Sequence, residues 1–240
     1  MMKKRIAPIK TLIFSFIVFN LLFAKGIGYH IIQFNSNNGL SQNTIYSIVE
    51  DSKGYMWFGT FDGLNRFDGY NFKKFHARYK SKNSLTSNDI TFLHVDKKNR
   101  FWISVFGGGL NQYFPESEKF ISYKNVKDEK NSLQSDFIYS IQEDENSDLW
   151  FATLDAGIIK FEPEKNKFTK FLPEKSVPVL SNHIRSLTVE KNKIWFGSTK
   201  GIGTLNRKTG EIKIINDKDN FLPGLFILSI CKVDDNNIWL

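Results

Sequence analysis

The chain has 240 residues with a hydrophobic fraction of 41% and an aromatic fraction of 15%, enough apolar material for a buried core and too much for a disordered chain. A single cysteine, Cys231, rules out an internal disulfide and a cysteine-built metal site. The formal charge of +8 does not indicate a nucleic-acid binder: Lys3, Lys4, Arg5, Lys10 and Lys25 supply five of these charges in a stretch without Asp or Glu, leaving only +3 on the rest.

At the N-terminus, the basic group Lys3-Lys4-Arg5 precedes an apolar run from Thr11 to Phe23 and the small residues of Ala24-Lys25-Gly26. This order predicts a secretory signal peptide over residues 1–26, cleaved after Gly26, and hence an exported protein on the extracytoplasmic side of the membrane. The run is shorter than the roughly 20 apolar residues a spanning helix needs, although an uncleaved anchor is the alternative. Tyr29 to Phe34 reads as a strand that could close a ring.

From residue 39 onward the chain repeats. Trp57, Trp102, Trp150, Trp195 and Trp239 are spaced by 45, 48, 45 and 44 residues. Ile45, Ile90, Ile138, Ile184 and Ile227 precede them by 11 or 12 positions, and Leu40, Leu85, Leu133, Leu180 and Leu222 precede those by 4 or 5. A Gly followed by an aliphatic residue recurs as Gly63-Leu64, Gly109-Leu110, Gly157-Ile158 and Gly201-Ile202. Three columns in register with the Trp series define units at about 39–83, 84–131, 132–178 and 179–220, with a fifth that breaks off over 221–240.

Within the first unit, Ile45–Val49 predicts a strand, Asp51-Ser52-Lys53-Gly54 a turn, and Tyr55–Thr60 a second strand; Asp62-Gly63 and Asp68-Gly69 then turn the chain into two more. A four-stranded meander repeated every 40 to 50 residues with one Trp per unit is the sequence pattern of propeller blades. The expected fold is all-β: a propeller of four-stranded antiparallel blades, about four complete and part of a fifth, forming an incomplete ring over residues 27–240. The tryptophans are expected in the core between blades.

Candidate catalytic and metal-binding groups are sparse. Asp51, Asp96 and Asp144 each stand six residues before a Trp but lack the alternating oxygen ligands of a calcium loop, so they are read as turn residues. His30, His76, His94 and His183 have no second ligand at a metal-binding spacing, and no nucleophile motif occurs. No cofactor is expected.

The wording Gly39-Leu40-Ser41-Gln42-Asn43, followed by Asp51-Ser52-Lys53-Gly54-Tyr55-Met56-Trp57-Phe58-Gly59-Thr60 and Asp62-Gly63-Leu64-Asn65-Arg66-Phe67-Asp68-Gly69, resembles the two-component regulator propeller repeat. Asp148-Leu149-Trp150-Phe151-Ala152-Thr153 and Ile194-Trp195-Phe196-Gly197-Ser198 keep its centre, while Phe101-Trp102-Ile103-Ser104 departs from it. The resemblance implies the extracytoplasmic sensor region of a bacterial hybrid two-component protein. Further blades, an immunoglobulin-like domain, a membrane helix, a histidine kinase, a receiver and a DNA-binding domain would lie outside these residues. It also implies an oligosaccharide ligand and leaves room for a homodimer of the full-length protein.

The alternatives are a secreted propeller enzyme, a lyase or a glycoside hydrolase using Asp62 and Asp155 as its carboxylates, and a protein-binding scaffold. The loops before each first strand and between second and third strands share one face, where binding groups would concentrate. They hold Asn43, Phe61, Asp62, Asn88, Asp89, Phe106, Asp136, Asp155, His183 and Lys200, which compete as ligand residues with their ordinary use in turns.

Overall fold

The computed structural model describes residues 31–172, 183–199, 201–215, 226–234 and 237–240. The expected signal peptide, Leu180, Leu222 and Lys200 lie outside them. Residues 1–34 form a unit separate from 35–240. In the first unit, Ile31–Phe34 joins no sheet, so the expected strand over residues 29–34 does not form in its described part; Tyr29 and His30 lie outside the described residues.

The second unit is a succession of antiparallel meanders. Blade one contains β1 (Ile45–Glu50), β2 (Met56–Thr60), β3 (Gly63–Phe67) and β4 (Phe72–Phe75). Blade two follows with β5 (Ile90–Val95), β6 (Phe101–Val105), β7 (Gly109–Phe114) and β8 (Lys119–Tyr123). Blade three has β9 (Ile138–Glu143), β10 (Leu149–Thr153), β11 (Ile158–Glu162) and β12 (Lys167–Phe171). Blade four has β13 (Ile184–Val189), β14 (Lys193–Ser198), β15 (Gly201–Asn206) and β16 (Ile212–Ile214), and β17 (Cys231–Lys232) pairs with β18 (Ile238–Trp239). The fold is the all-β propeller the repeat predicts.

The first hairpin of each blade shows why the repeat has its letters. In blade one, Asp51 Oδ1 accepts the backbone N–H groups of Lys53 (2.9 Å) and Tyr55 (3.1 Å), while Oδ2 accepts the indole N–H of Trp57 at 2.7 Å. Asp96 does the same for Lys98, Arg100 and Trp102, and Asp144 for Asn146, Asp148 and Trp150. One carboxylate therefore closes the turn and satisfies the polar atom of a buried indole. The fourth turn residue must be left-handed, and Gly54 (φ 82°), Asn99 (φ 60°) and Ser147 (φ 63°) occupy that position. In blade four, Glu190 replaces the aspartate one residue closer and bonds Trp195 at 3.0 Å.

Blade stacking explains the other columns. Trp57 packs with Phe101 and Tyr113 of blade two at centroid distances of 4.7 and 5.2 Å, so each Trp faces the following blade. The third residue after each column Ile faces the preceding blade: Leu93 shares a cluster with Trp57, Ile141 with Trp102 and Leu187 with Trp150. Two residues after each Trp the side chain must be small. A Cβ on Gly59 would lie 2.7 Å from Ile90 of the next blade, Ser104 donates to the Ile138 carbonyl, and Ala152 packs in one cluster with Ile184. Around the rim, Lys53–Glu116 (3.0 Å), Arg100–Glu164 (2.8 Å) and Glu145–Arg207 (2.8 Å) join the first turn of one blade to the last turn of the next.

The expectation of five buried tryptophans needs correction. Trp57, Trp102 and Trp150 are each 1% exposed, but Trp195 is half-buried and Trp239 is 71% exposed. Among the described residues no blade follows Trp239 to cover it.

Candidate functional site

The innermost strands run side by side and line a half-open cavity of about 460 Å³. What points into it follows from a shared irregularity. In the ladder of β1 with β2, Ile45 pairs with Thr60 and Ser47 with Gly59, so Tyr46 is skipped. Thr91 is skipped between Ile90 and Phe92, Tyr139 between Ile138 and Ser140, and Arg185 between Ile184 and Ser186. Each is a β-bulge at the same repeat position, and a bulge turns its side chain out of the regular alternation. All four skipped residues line the cavity, together with Leu228, which holds the equivalent place after Ile227.

The ladder is restored at the next residue. Ser47 Oγ accepts the Leu93 N–H at 3.0 Å and Ser186 Oγ accepts the Ile230 N–H at 3.1 Å, fixing one inner strand against the next. Thr91 is also tied down, bonding Ser104 Oγ at 2.6 Å and the Ile138 carbonyl at 2.7 Å. The groups left to meet a ligand are therefore aromatic surface, the Arg185 guanidinium, the Asp89 carboxylate, and the hydroxyls of Ser140 and Ser229.

Two of the residues expected from sequence reach this cavity: Asp89, ahead of β5, and Phe106, in the turn after β6. The Phe106 N–H donates to the Asp89 carbonyl at 2.8 Å, and its ring meets Phe137 edge-on at 5.0 Å and Tyr139 at 6.3 Å. Burial pushes the Asp89 carboxyl above its ordinary pKa.

The other expected residues are engaged locally. Asn43 accepts from the Ser36 N–H at 2.7 Å, and Asp62 accepts from Asn88 Nδ2 at 2.9 Å while Asn88 Oδ1 accepts from the Ala77 N–H at 2.7 Å. Asp136 accepts from the Asn125 N–H at 2.8 Å, and Asp155 from the Ser135 hydroxyl. Phe61 is 53% exposed, and His183 offers its carbonyl to the Thr199 N–H. Asp62 and Asp155 are thus each held by a side chain of the loop beside them. Among the described residues no group of three or more His, Cys, Asp or Glu could hold a metal ion, and no helix is long and apolar enough to cross a membrane.

Tyr46, Thr91, Tyr139, Arg185 and Leu228 were not marked by the sequence. The available signal was the Ile column itself, since the residue after each Ile changes its chemistry from blade to blade.

Residues 39–62 and 132–155 match the family model described as two component regulator propeller. Over 70 residues, 29% of this chain, the sequence is 37% identical to a histidine kinase of Formosa agariphila and spans 5% of that protein. The extracellular domain of a hybrid two component system from B. thetaiotaomicron is similar over 88% of this chain, with 28% identity and a TM-score of 0.76. This chain spans 29% of the length of that domain. A virginiamycin B lyase from Staphylococcus aureus covers 84% of this chain at 17% identity and a TM-score of 0.61, a likeness of fold alone.

Proposed function

We propose that this chain, which carries two-component regulator propeller repeats, is part of the ligand-sensing propeller of an extracytoplasmic sensor, and that its inner channel receives an oligosaccharide. The observation that carries the reading is the row of bulges. The same backbone device recurs in four blades, yet it presents Tyr46, Thr91, Tyr139 and Arg185, four positions with three different chemistries. Packing favours a repeated letter at a repeated position, as in the Ile and Trp columns. A position where geometry repeats and chemistry varies suits recognition.

The mixture suits a sugar. Tyr46, Phe106 and Tyr139 offer ring faces for the C–H surfaces of a pyranose, and hydroxyls and charged groups fix its orientation. The cavity has the size of a small-molecule site, within the range of roughly 300 to 1,000 Å³ such sites occupy. The lining residues act by binding and orienting, and transduction would belong to a histidine kinase beyond these residues. Residues 1–26 would direct export and be removed, leaving 27–240 as the sensing region.

The test is calorimetric titration of the exported chain with an oligosaccharide library, followed by Phe106→Ala and Tyr139→Ala. Each should weaken binding by about tenfold or more, as loss of a well-packed aromatic contact does. Asp155→Ala, in the turn after β10, should leave affinity unchanged. Full affinity in both aromatic variants, with unaltered melting, would place the site elsewhere.

A further inference from the structure

We infer that the channel selects an acidic sugar, with Arg185 anchoring the carboxylate of a hexuronate unit. The inference rests on the reading of the channel as the ligand site.

Arg185 is the bulge residue of β13, and its guanidinium carbon lies 4.1 Å from the Tyr139 ring centroid and 5.4 Å from that of Phe226. Its Nε is buried and has no hydrogen-bond partner. Arg100 and Arg207 each also keep one buried nitrogen without a partner, but their guanidiniums are matched to carboxylates, Asp96 and Asp144. The Arg185 Nε is closed to solvent, so a ligand would meet the terminal nitrogens of the guanidinium, which lines the cavity. The two rings hold the plane of the guanidinium by cation–π contact, so its donor edge is oriented before a ligand arrives.

The cavity holds one guanidinium, Arg185, and one carboxylate, Asp89, so an anionic ligand has a single cation to meet there. The other lining groups, Tyr46, Phe106, Tyr139, Ser140 and Ser229 among them, are neutral. Among sugar anions a carboxylate suits the site better than a sulfate: it is planar and takes two parallel N–H donors from one guanidinium, whereas a sulfate is tetrahedral.

The experiment titrates the complete chain with trigalacturonate, a glucuronate-containing trisaccharide, uncharged galactotriose and a sulfated galactotriose. The uronates should bind most tightly, and their affinity should fall as salt is raised. Arg185→Gln should weaken uronate binding roughly 10- to 100-fold, as expected for losing a charge-assisted pair, and weaken galactotriose binding by far less. Arg185→Lys, which keeps the charge and loses the fork, should fall between; it also supplies a second folded variant if the glutamine variant melts early.

Uronate affinity equal to the parent's in both variants overturns the anchor. Preference for galactotriose overturns the anionic class and leaves the channel as a sugar site, and preference for the sulfated sugar overturns the carboxylate. Binding of none of the four overturns this inference, and failure of the whole oligosaccharide library as well removes the sugar-sensing reading beneath it.

Discussion

Blades two and three contrast with the two ends of the array, although all are written in the same repeat. The third residue after the column Ile is 3% exposed in blade two (Leu93), 0% in blade three (Ile141) and 1% in blade four (Leu187), yet 54% exposed in blade one (Ile48). The tryptophans mirror this: Trp102 and Trp150 are fully buried, and Trp239 is open to solvent. The Ile side of a blade needs a predecessor and the Trp side a successor. Burial in this molecule is thus a property of neighbouring blades, and one letter has different energetic weight according to its place in the row.

Substitutions can break that comparison. The largest effect is expected for Trp102→Ala, at about 3 to 5 kcal/mol of unfolding free energy, because it empties a packed site between two blades. Trp239→Ala should cost under about 0.5 kcal/mol, as exposed positions do. Urea midpoints would test the pair, and equal losses at both positions would refute the neighbour rule. Next, Ile141→Ala should cost about 2 to 4 kcal/mol and Ile48→Ala under about 1 kcal/mol. A costly Ile48→Ala would mean that blade one is covered in solution.

A smaller effect sharpens the account of the turns. Burial works against the charged form of Asp144, but the indole N–H of Trp150, the backbone N–H groups of Asp148 and Asn146, and Arg207 outweigh it and hold the folded pKa below the ordinary value of 3.8. Because the folded pKa is depressed, this stabilisation is complete above the unfolded value and disappears as pH falls through the folded one. Stability measured from pH 6 down to 2 should decline partly through this group. Asp144→Asn should cost about 1 to 2 kcal/mol at neutral pH and flatten the acid limb. An unchanged acid limb in the variant would show that the carboxylate is not held as described.

The blades were legible in the sequence because packing between them demands the same Ile, Trp and Gly at the same places. The aspartates were legible as turn residues for a local reason, a carboxylate accepting from the N–H groups two and four residues ahead. Their second bond, to the indole six residues on, was not, since it exists only once the hairpin brings Asp96 beside Trp102. The channel was hidden for a different reason. Strict alternation would give Tyr139 the opposite face to Ile138 and Ser140, and nothing in the letters announces that the ladder skips it. Loop chemistry therefore drew attention to Asp62, Asp136 and Asp155, which are bonded to neighbouring loops, while Asp89 and Phe106 alone of the expected residues marked the rim of the cavity.

The row of bulges also has a mechanical consequence. Stability in a stacked array passes from each blade to its immediate neighbours, so a disturbance in blade one reaches blade four only through the two between. Four inner strands and the segment Leu228-Ser229 contribute to one cavity, and a molecule lodged there touches blades that have no interface with each other. Its binding energy adds to the array as RT ln(1 + [L]/Kd), shared among all the blades it bridges. Occupancy would turn a chain of nearest-neighbour contacts into a body that stiffens as a whole, and rigidity is a quantity that a distant domain can read.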